Sequence, residues 1–418
     1  IANKEISATG DKDSTKKETP KKEIEVAEPS RFILKKDSLG TVLKDSLSRP
    51  IYTDSETGKD TILLANTEET PVADNKKPEL KERYGLLAPM AIVGDTSSKE
   101  LKTLENDKVK LTLSNFGGSV VAASVKGYKS YDDFAATDFT EATATDEVDL
   151  FSEESTKNGL TFNYDGRTIS TSEMRFKLVE ETISKLVYRL EPKSGSYIDY
   201  IYSLEEGKHH VDFSIAFHGM SSSIPAESVM LQSETSLLRT ERLMKEQRRI
   251  GTVFYQYKDD KFDYLSEGSS DTENEFDHDL DWICFKQSYF STFLIPDNAF
   301  KKDKSELEVY VYNEESEADR YGNENYIKKY KANLNLGLTS TENSTSNMKW
   351  YFGPNDYELL KAYDKDLEDV NNLGWGLFRW VNIYAIQPLF EWLISTGMAV
   401  GMAIFLLTLI VKLALSPV

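Results

Sequence analysis

The run Gly397–Leu415, Gly-Met-Ala-Val-Gly-Met-Ala-Ile-Phe-Leu-Leu-Thr-Leu-Ile-Val-Lys-Leu-Ala-Leu, constrains this chain more than any other stretch. About 20 mostly apolar residues at 1.5 Å rise cross a hydrocarbon core of roughly 30 Å, so the run is long enough for a bilayer. We read 395–418 as a transmembrane helix. Its lone charge, Lys412, needs an explanation, because a cation in mid-membrane costs about 2.5 to 3.5 kcal/mol on insertion scales. Counted from Gly397, Lys412 lies about 22 Å along the helix, leaving roughly 8 Å to the far face. A lysine can snorkel most of that distance, so the plain reading is a positive-inside anchor.

Everything before this run is polar and acidic. A net charge of -20, from 70 acidic against 50 basic residues, argues against a nucleic-acid partner, which needs clustered Lys and Arg. One cysteine, Cys284, excludes an intrachain disulfide and a cysteine-based metal site. The chain opens on Ile1 without an initiator Met and closes on Ser416-Pro417-Val418, so a longer parent protein is expected.

Residues 1–100 hold six of the twelve prolines and mix charges with no apolar period, as in Asp11–Glu18. Such a segment buries too little apolar surface to offset its ordering entropy, and it reads as a flexible charged linker. From residue 101 the period becomes two: Val109, Leu111 and Leu113 alternate with Lys110, Thr112 and Ser114. Asn115-Phe-Gly-Gly118 reads as a turn. Further strand-like runs cover 186–190, 197–204, 210–218, 282–295 and 307–312, with 241–249 a short helix or charged loop. Many strands and few helical patterns predict a mainly β fold, a large antiparallel sandwich over 101–352.

Residues 353–372 read as an exit helix and connector, with Pro354 at the first helical position. Residues 373–394 hold three of the five tryptophans. Arg379 with Asn382, and Gln387 with Glu391, sit at helical spacing, and Pro388 is expected to break the helix between the pairs. An amphipathic helix in the membrane interface fits this stretch, with Trp375, Arg379, Trp380, Tyr384 and Trp392 as interface residues.

Four segments carry a family resemblance. They are Asn106–Gly118, the strand Trp282-Ile-Cys-Phe-Lys-Gln-Ser-Tyr-Phe-Ser-Thr-Phe-Leu-Ile-Pro296, the exit segment Tyr351-Phe-Gly-Pro-Asn-Asp-Tyr-Glu-Leu-Leu-Lys361, and the ordered set Gly374-Trp375, Gln387-Pro-Leu-Phe390, Phe405–Pro417. Over about 100–418 the chain resembles the YidC family of bacterial inner-membrane protein insertases.

The resemblance implies a periplasmic β-supersandwich, with residues 1–372 periplasmic and the full protein multi-pass in the inner membrane. One membrane helix would precede Ile1 and four would follow Val418. Together they would form a hydrophilic, positively charged groove that receives segments of nascent inner-membrane proteins. The implied partners are those nascent chains, the Sec translocon and its accessory subunits, the ribosome through cytoplasmic parts, and the lipid bilayer. The implied function is insertion and chaperoning, with neither enzymatic chemistry nor a cofactor.

The family's groove residue is usually Arg. Lys412 stands in its place, which keeps the charge and loses the planar five-donor fork. On this resemblance Lys412 becomes a substrate-groove residue.

Other candidates read more plainly. His209-His210 and His218 lie on a strand, where neighbours point to opposite faces, so 209 and 210 cannot chelate one metal together. Asp277-His-Asp-Leu-Asp281 lacks the Gly and Glu of a calcium loop. Cys284 reads as a small buried hydrophobe, and Lys245 with Arg248 and Arg249 as a solvated basic patch. The competing function is a membrane-anchored sugar-binding or mutarotase-like sandwich. It would need a histidine and a carboxylate converging in one pocket.

Overall fold

The structure is a computed structural model that describes residues 32–34, 52–54, 60–61, 76–94, 97–136, 146–258, 262–313, 316, 319–374 and 376–415. The chain divides into two compact units, Ile1–Asp74 and Asn75–Val418. In the first, Phe32–Leu34, Tyr52–Asp54 and Asp60–Thr61 form a three-stranded antiparallel sheet.

The second unit is an antiparallel sandwich. Its largest sheet has nine strands in the order Lys177–Glu181, Lys185–Lys193, Ser196–Ser203, His210–His218, Asn343–Pro354, Phe290–Pro296, Leu280–Lys286, Val253–Tyr257 and Phe262–Tyr264. A six-stranded sheet is centred on Met230–Leu238 and Tyr326–Asn335. A four-stranded meander runs Leu101–Glu105, Val109–Ser114, Val120–Lys126 and Glu147–Phe151.

All three sheets feed one core, in which Leu111 and Val125 of the meander join Leu160 and Leu231 of the six-stranded sheet and Tyr200, Phe213 and Trp350 of the nine-stranded one. The fold is mainly β, as the period-two pattern predicts. Its core is rich in tyrosine, and a buried phenol usually finds a partner; the Tyr188 hydroxyl has none among the described residues. Tyr202 donates to the Gly118 carbonyl at 3.0 Å, Tyr351 to that of Pro354 at 2.6 Å, and Tyr330 to that of Lys286 at 3.2 Å. Gly118 sits at φ +63, and a Cβ there would stand 2.7 Å from the Phe176 ring. Both facts require glycine at the turn.

Several expectations change. Residues 76–94 and 97–100, read as the end of a linker, join the folded unit through helix α1 (Lys76–Tyr84) and the tight turn Gly85–Met90, which bury Tyr84 and Leu87 in the core. The run 282–295 is two strands of a hairpin, not one, because Gln287–Tyr289 turns the chain. Helix α2 is Tyr131–Ala136, and α3 is Met244–Ile250. The supposedly solvated Arg248 of α3 donates to the carbonyls of Asn323, Tyr326 and Ile327, pinning α3 near helix α4 (Arg320–Asn325). Pro354 ends a strand; the exit helix α5 (Tyr357–Lys361) starts instead from Asp356, whose carboxylate accepts from the Leu359 N–H at 2.8 Å.

The nine-stranded sheet is covered on both faces. Along its strands Ile283, Phe285, Leu294, Trp350 and Phe352 enter the main core. The alternating Trp282, Cys284, Phe293 and Tyr351 point the other way, into a second cluster completed by Leu360, Leu367 and Val370 of the exit segment. Trp282 Nε1 also donates to the Lys365 carbonyl at 2.7 Å. Cys284 is fully buried in that cluster, and burial pushes its thiol up to about 12. It is the small buried hydrophobe expected of it.

Candidate functional site

The exit segment leads into three further helices, α6 (Gly376–Val381), α7 (Gln387–Ser395) and α8 (Val400–Leu415). α6 and α7 are joined by a π-turn, Asn382–Ile386. Pro388 does not break the helix as expected. Its ring would clash with the carbonyl of Tyr384 and it lacks an N–H, and the wider π-turn just before it takes up both defects. After α7 the chain turns at Thr396–Gly397, with Gly397 at φ +80, and α8 contacts α7; Leu393 and Ala403 are buried.

This turn divides the segment 395–418 that was read as one helix. No helix among the described residues is long and apolar enough to cross a membrane. α8 has 16 residues, about 24 Å.

Arg379 and Asn382 do not pair with one another. Arg379 forms an ion pair with Asp369 of the exit segment, and Asn382 Nδ2 donates to the Leu373 carbonyl at 2.7 Å. The two contacts tie α6 and the π-turn after it back to the segment that docks on the sandwich, and spacing gave no sign of either. Gln387 and Glu391 do pair, at 3.0 Å. Trp380, Tyr384 and Trp392 are exposed; Trp375 lies outside the described residues.

The surface of these helices is strongly apolar. Leu377, Phe378, Trp380, Tyr384 and Trp392 on α6–α7, and Val400, Ile404, Phe405, Leu409 and Leu413 on α8, are all exposed. Single exposed apolar residues are ordinary, whereas a contiguous set marks an interaction surface. Exposed positions 400, 402, 404, 405, 409, 410 and 413 fall all around α8 at 100° per residue, and a helix apolar on every side belongs inside a core or a bilayer. Lys412 is the one charged residue of α8, and it is exposed in the last turn.

The histidines stand elsewhere. His210 opens strand His210–His218, while His209 lies just before it, outside the pleat. Alternation therefore does not separate them, and both rings border one cleft beside the exit helix. His210 Nδ1 bonds the Tyr363 hydroxyl at 2.7 Å. Burial pulls both imidazoles below the ordinary histidine range. His218 stacks on Tyr197. Asp279 of the acidic stretch 277–281 is held by Lys301 and by the Lys302 N–H. No group of three or more potential metal ligands occurs among the described residues.

The sandwich, the exit segment and α6 with its π-turn all fall within one family match, the YidC periplasmic domain over residues 102–390. The chain belongs to the YidC periplasmic-domain family. Among its relatives, the membrane protein insertase YidC of Phocaeicola vulgatus is 32% identical over 332 residues, 77% of this chain and 49% of that protein. That of Parabacteroides distasonis is 30% identical over 349 residues, 81% of this chain and 51% of the relative. The chain thus spans about half the length of the curated relatives it matches. A solved galactose mutarotase related enzyme from Lactobacillus acidophilus covers 60% of this chain and 97% of its own, at TM-score 0.34 and 10% identity. A likeness that slight carries no functional weight. The family match ends at Phe390, before α8 and Lys412.

Proposed function

We propose that this chain is the periplasmic domain and membrane-entry region of an inner-membrane protein insertase. The carrying observation is the apolar surface of α6–α8 with its solitary Lys412, in a chain of the YidC periplasmic-domain family. The relatives are named membrane protein insertases, which supports the same role here. No covalent chemistry or cofactor enters this reading.

In it, the sandwich faces the periplasm and α6–α7 lie in the interface. Arg379 and Trp380, Tyr384 and Trp392, together with Trp375, sit at headgroup level, where amphipathic rings are favoured. The segment 395–418 crosses the bilayer, α8 supplying its apolar body. Lys412 lines a hydrophilic groove completed by other membrane helices. A cation in a water-filled groove attracts acidic segments of nascent inner-membrane proteins and lowers the cost of moving them into lipid. The Sec translocon and the ribosome are further proposed partners of the whole protein, which would reside in the bacterial inner membrane.

The test replaces Lys412 in the full-length protein and measures insertion of dependent substrates in a depletion strain. Lys412→Glu should abolish insertion and Lys412→Arg should preserve it, because the charge rather than the ammonium geometry is used. Normal insertion by Lys412→Ala would leave Lys412 a snorkelling anchor and remove the groove role.

A further inference from the structure

The outer face of the nine-stranded sheet carries a cleft of about 550 Å³, beside the docked exit segment and apart from the apolar helices. Its size falls within the range of roughly 300 to 1,000 Å³ typical of small-molecule sites. One wall belongs to the sheet: the turn Gly207–His210, Lys349, and the strand end Ile295-Pro296. The other belongs to the exit segment, through Leu359, Ala362, Tyr363 and Lys365. The His210–Tyr363 hydrogen bond bridges the two walls.

The lining of the cleft is richer in lysine than in carboxylate. The chain carries -20 overall, yet the cleft gathers Lys208, Lys349 and Lys365 around a single lining carboxylate, Asp297. Two of the lysines lean on acids next to the cleft, Lys365 on Asp281 at 2.7 Å and Lys349 on Asp212 at 3.7 Å. Lys208, exposed on the turn, has no ion-pair partner among the described residues. His209, which lines the cleft, is 8% exposed, and its Nδ1 is buried without a hydrogen-bond partner among the described residues. Ile295, Pro296 and Leu359 make the rest of the lining apolar.

The lining offers an anion three ammonium donors, of which Lys208 is without an ion-pair partner among the described residues, and a purely apolar ligand would desolvate them without recompense. Lysine ammoniums are compact point charges that suit phosphate oxygens. We propose that this cleft binds a phosphate group carried on a short aliphatic body, from a phospholipid or a soluble phosphate ester. By touching both walls, the ligand clamps the exit segment to the sandwich. Binding there is then linked to the stability of the docked exit segment, and through Arg379–Asp369 to the helices that follow.

The test uses the 418-residue chain held in amphipol and titrated by calorimetry with hexyl phosphate, glycerol 3-phosphate, dihexanoyl phosphatidylglycerol and dihexanoyl phosphatidylcholine. Hexyl phosphate or the phosphatidylglycerol should bind one to one and slow amide exchange over 357–365. Glycerol 3-phosphate and the zwitterionic lipid should bind at least tenfold more weakly. Lys208→Glu, on an exposed turn, should weaken binding about tenfold without altering the fold. Ala362→Trp should fill the cleft and abolish binding. A tighter phosphatidylglycerol identifies a lipid source, and a tighter hexyl phosphate a soluble ester. Absence of saturable binding by both overturns the proposal. So does equal binding of the zwitterionic lipid, or binding unchanged in both variants.

Discussion

Truncating Leu360 to alanine removes the one fully buried side chain that α5 places on the sheet. Leu360 packs in the second cluster with Trp282, Phe293, Tyr351, Leu367 and Val370. Three carbons lost at about 0.8 kcal/mol each give about 2.4 kcal/mol of transfer free energy. Collapse around a rigid Trp and Tyr is limited, so the residual void should move the total within the usual range of about 2 to 5 kcal/mol. This cluster lies on the opposite face of the sheet from the main core, so the loss should fall on docking of 357–370 rather than on the sandwich. Native-state hydrogen exchange reads this directly. The Leu360 and Ala362 amides, bonded to the Asp356 and Glu358 carbonyls, should exchange about 60-fold faster or more, at about 1.4 kcal/mol per decade. Amides of Tyr200 and Phe213 in the main core should keep their rates. Acceleration under threefold, or equal acceleration at Tyr200 and Phe213, would refute a separately docked exit segment.

Asp356→Ala deletes the cap of α5 and should cost about 0.5 to 2 kcal/mol of the same docking energy, measured by the same exchange rates. His209 and His210 are held below the ordinary histidine range in the folded state, so the unfolded chain takes up their protons first on acidification. Their contribution to stability should therefore fall as pH drops through about 6.5; a melting curve series from pH 7.5 to 5.5 should flatten in His210→Gln. Lys328 is 1% exposed, donates to the Gly251 and Glu267 carbonyls, and is pulled down to about 8 by burial. Between about pH 8 and 10.4 the unfolded chain binds its proton and the folded chain does not, so stability should rise by up to about 1.4 kcal/mol per pH unit. Urea midpoints at pH 8 and 9.5 should show this rise in the native chain, and Lys328→Met should remove it.

Several elements were legible along the chain because their cause is local. The strand Val109–Ser114 alternates because one of its faces meets the core, and period two registers that directly. Pro354 announced the exit helix, although it drew the first helical residue, Tyr357, three residues early. The run Gly397–Leu415 declared a helix apolar on all sides. The segments that carried the family resemblance lie mostly in the stretch now matched to it.

The misreadings share a physical reason. Every residue of Phe290–Pro296 is buried, so periodicity vanished there and the hairpin merged into one run. That double burial exists because the exit segment, some 70 residues later, covers the sheet's second face. The same docking gathers Lys208, Lys349, Lys365 and the two histidines around one cleft, though its lining comes from separate stretches, 207–210, 295–297, 349 and 359–365. Arg248 looked solvated because its three carbonyl partners come from 323–327. Residues 76–90 looked like linker because a short amphipathic turn has no pattern of its own until a core receives Leu87. The sequence by itself determined the β character and the apolar terminal helices, set by local period and composition, and pointed to the family through the order of its motifs. Only the tertiary structure decided which faces are covered, because burial of a second face depends on contacts made far along the chain.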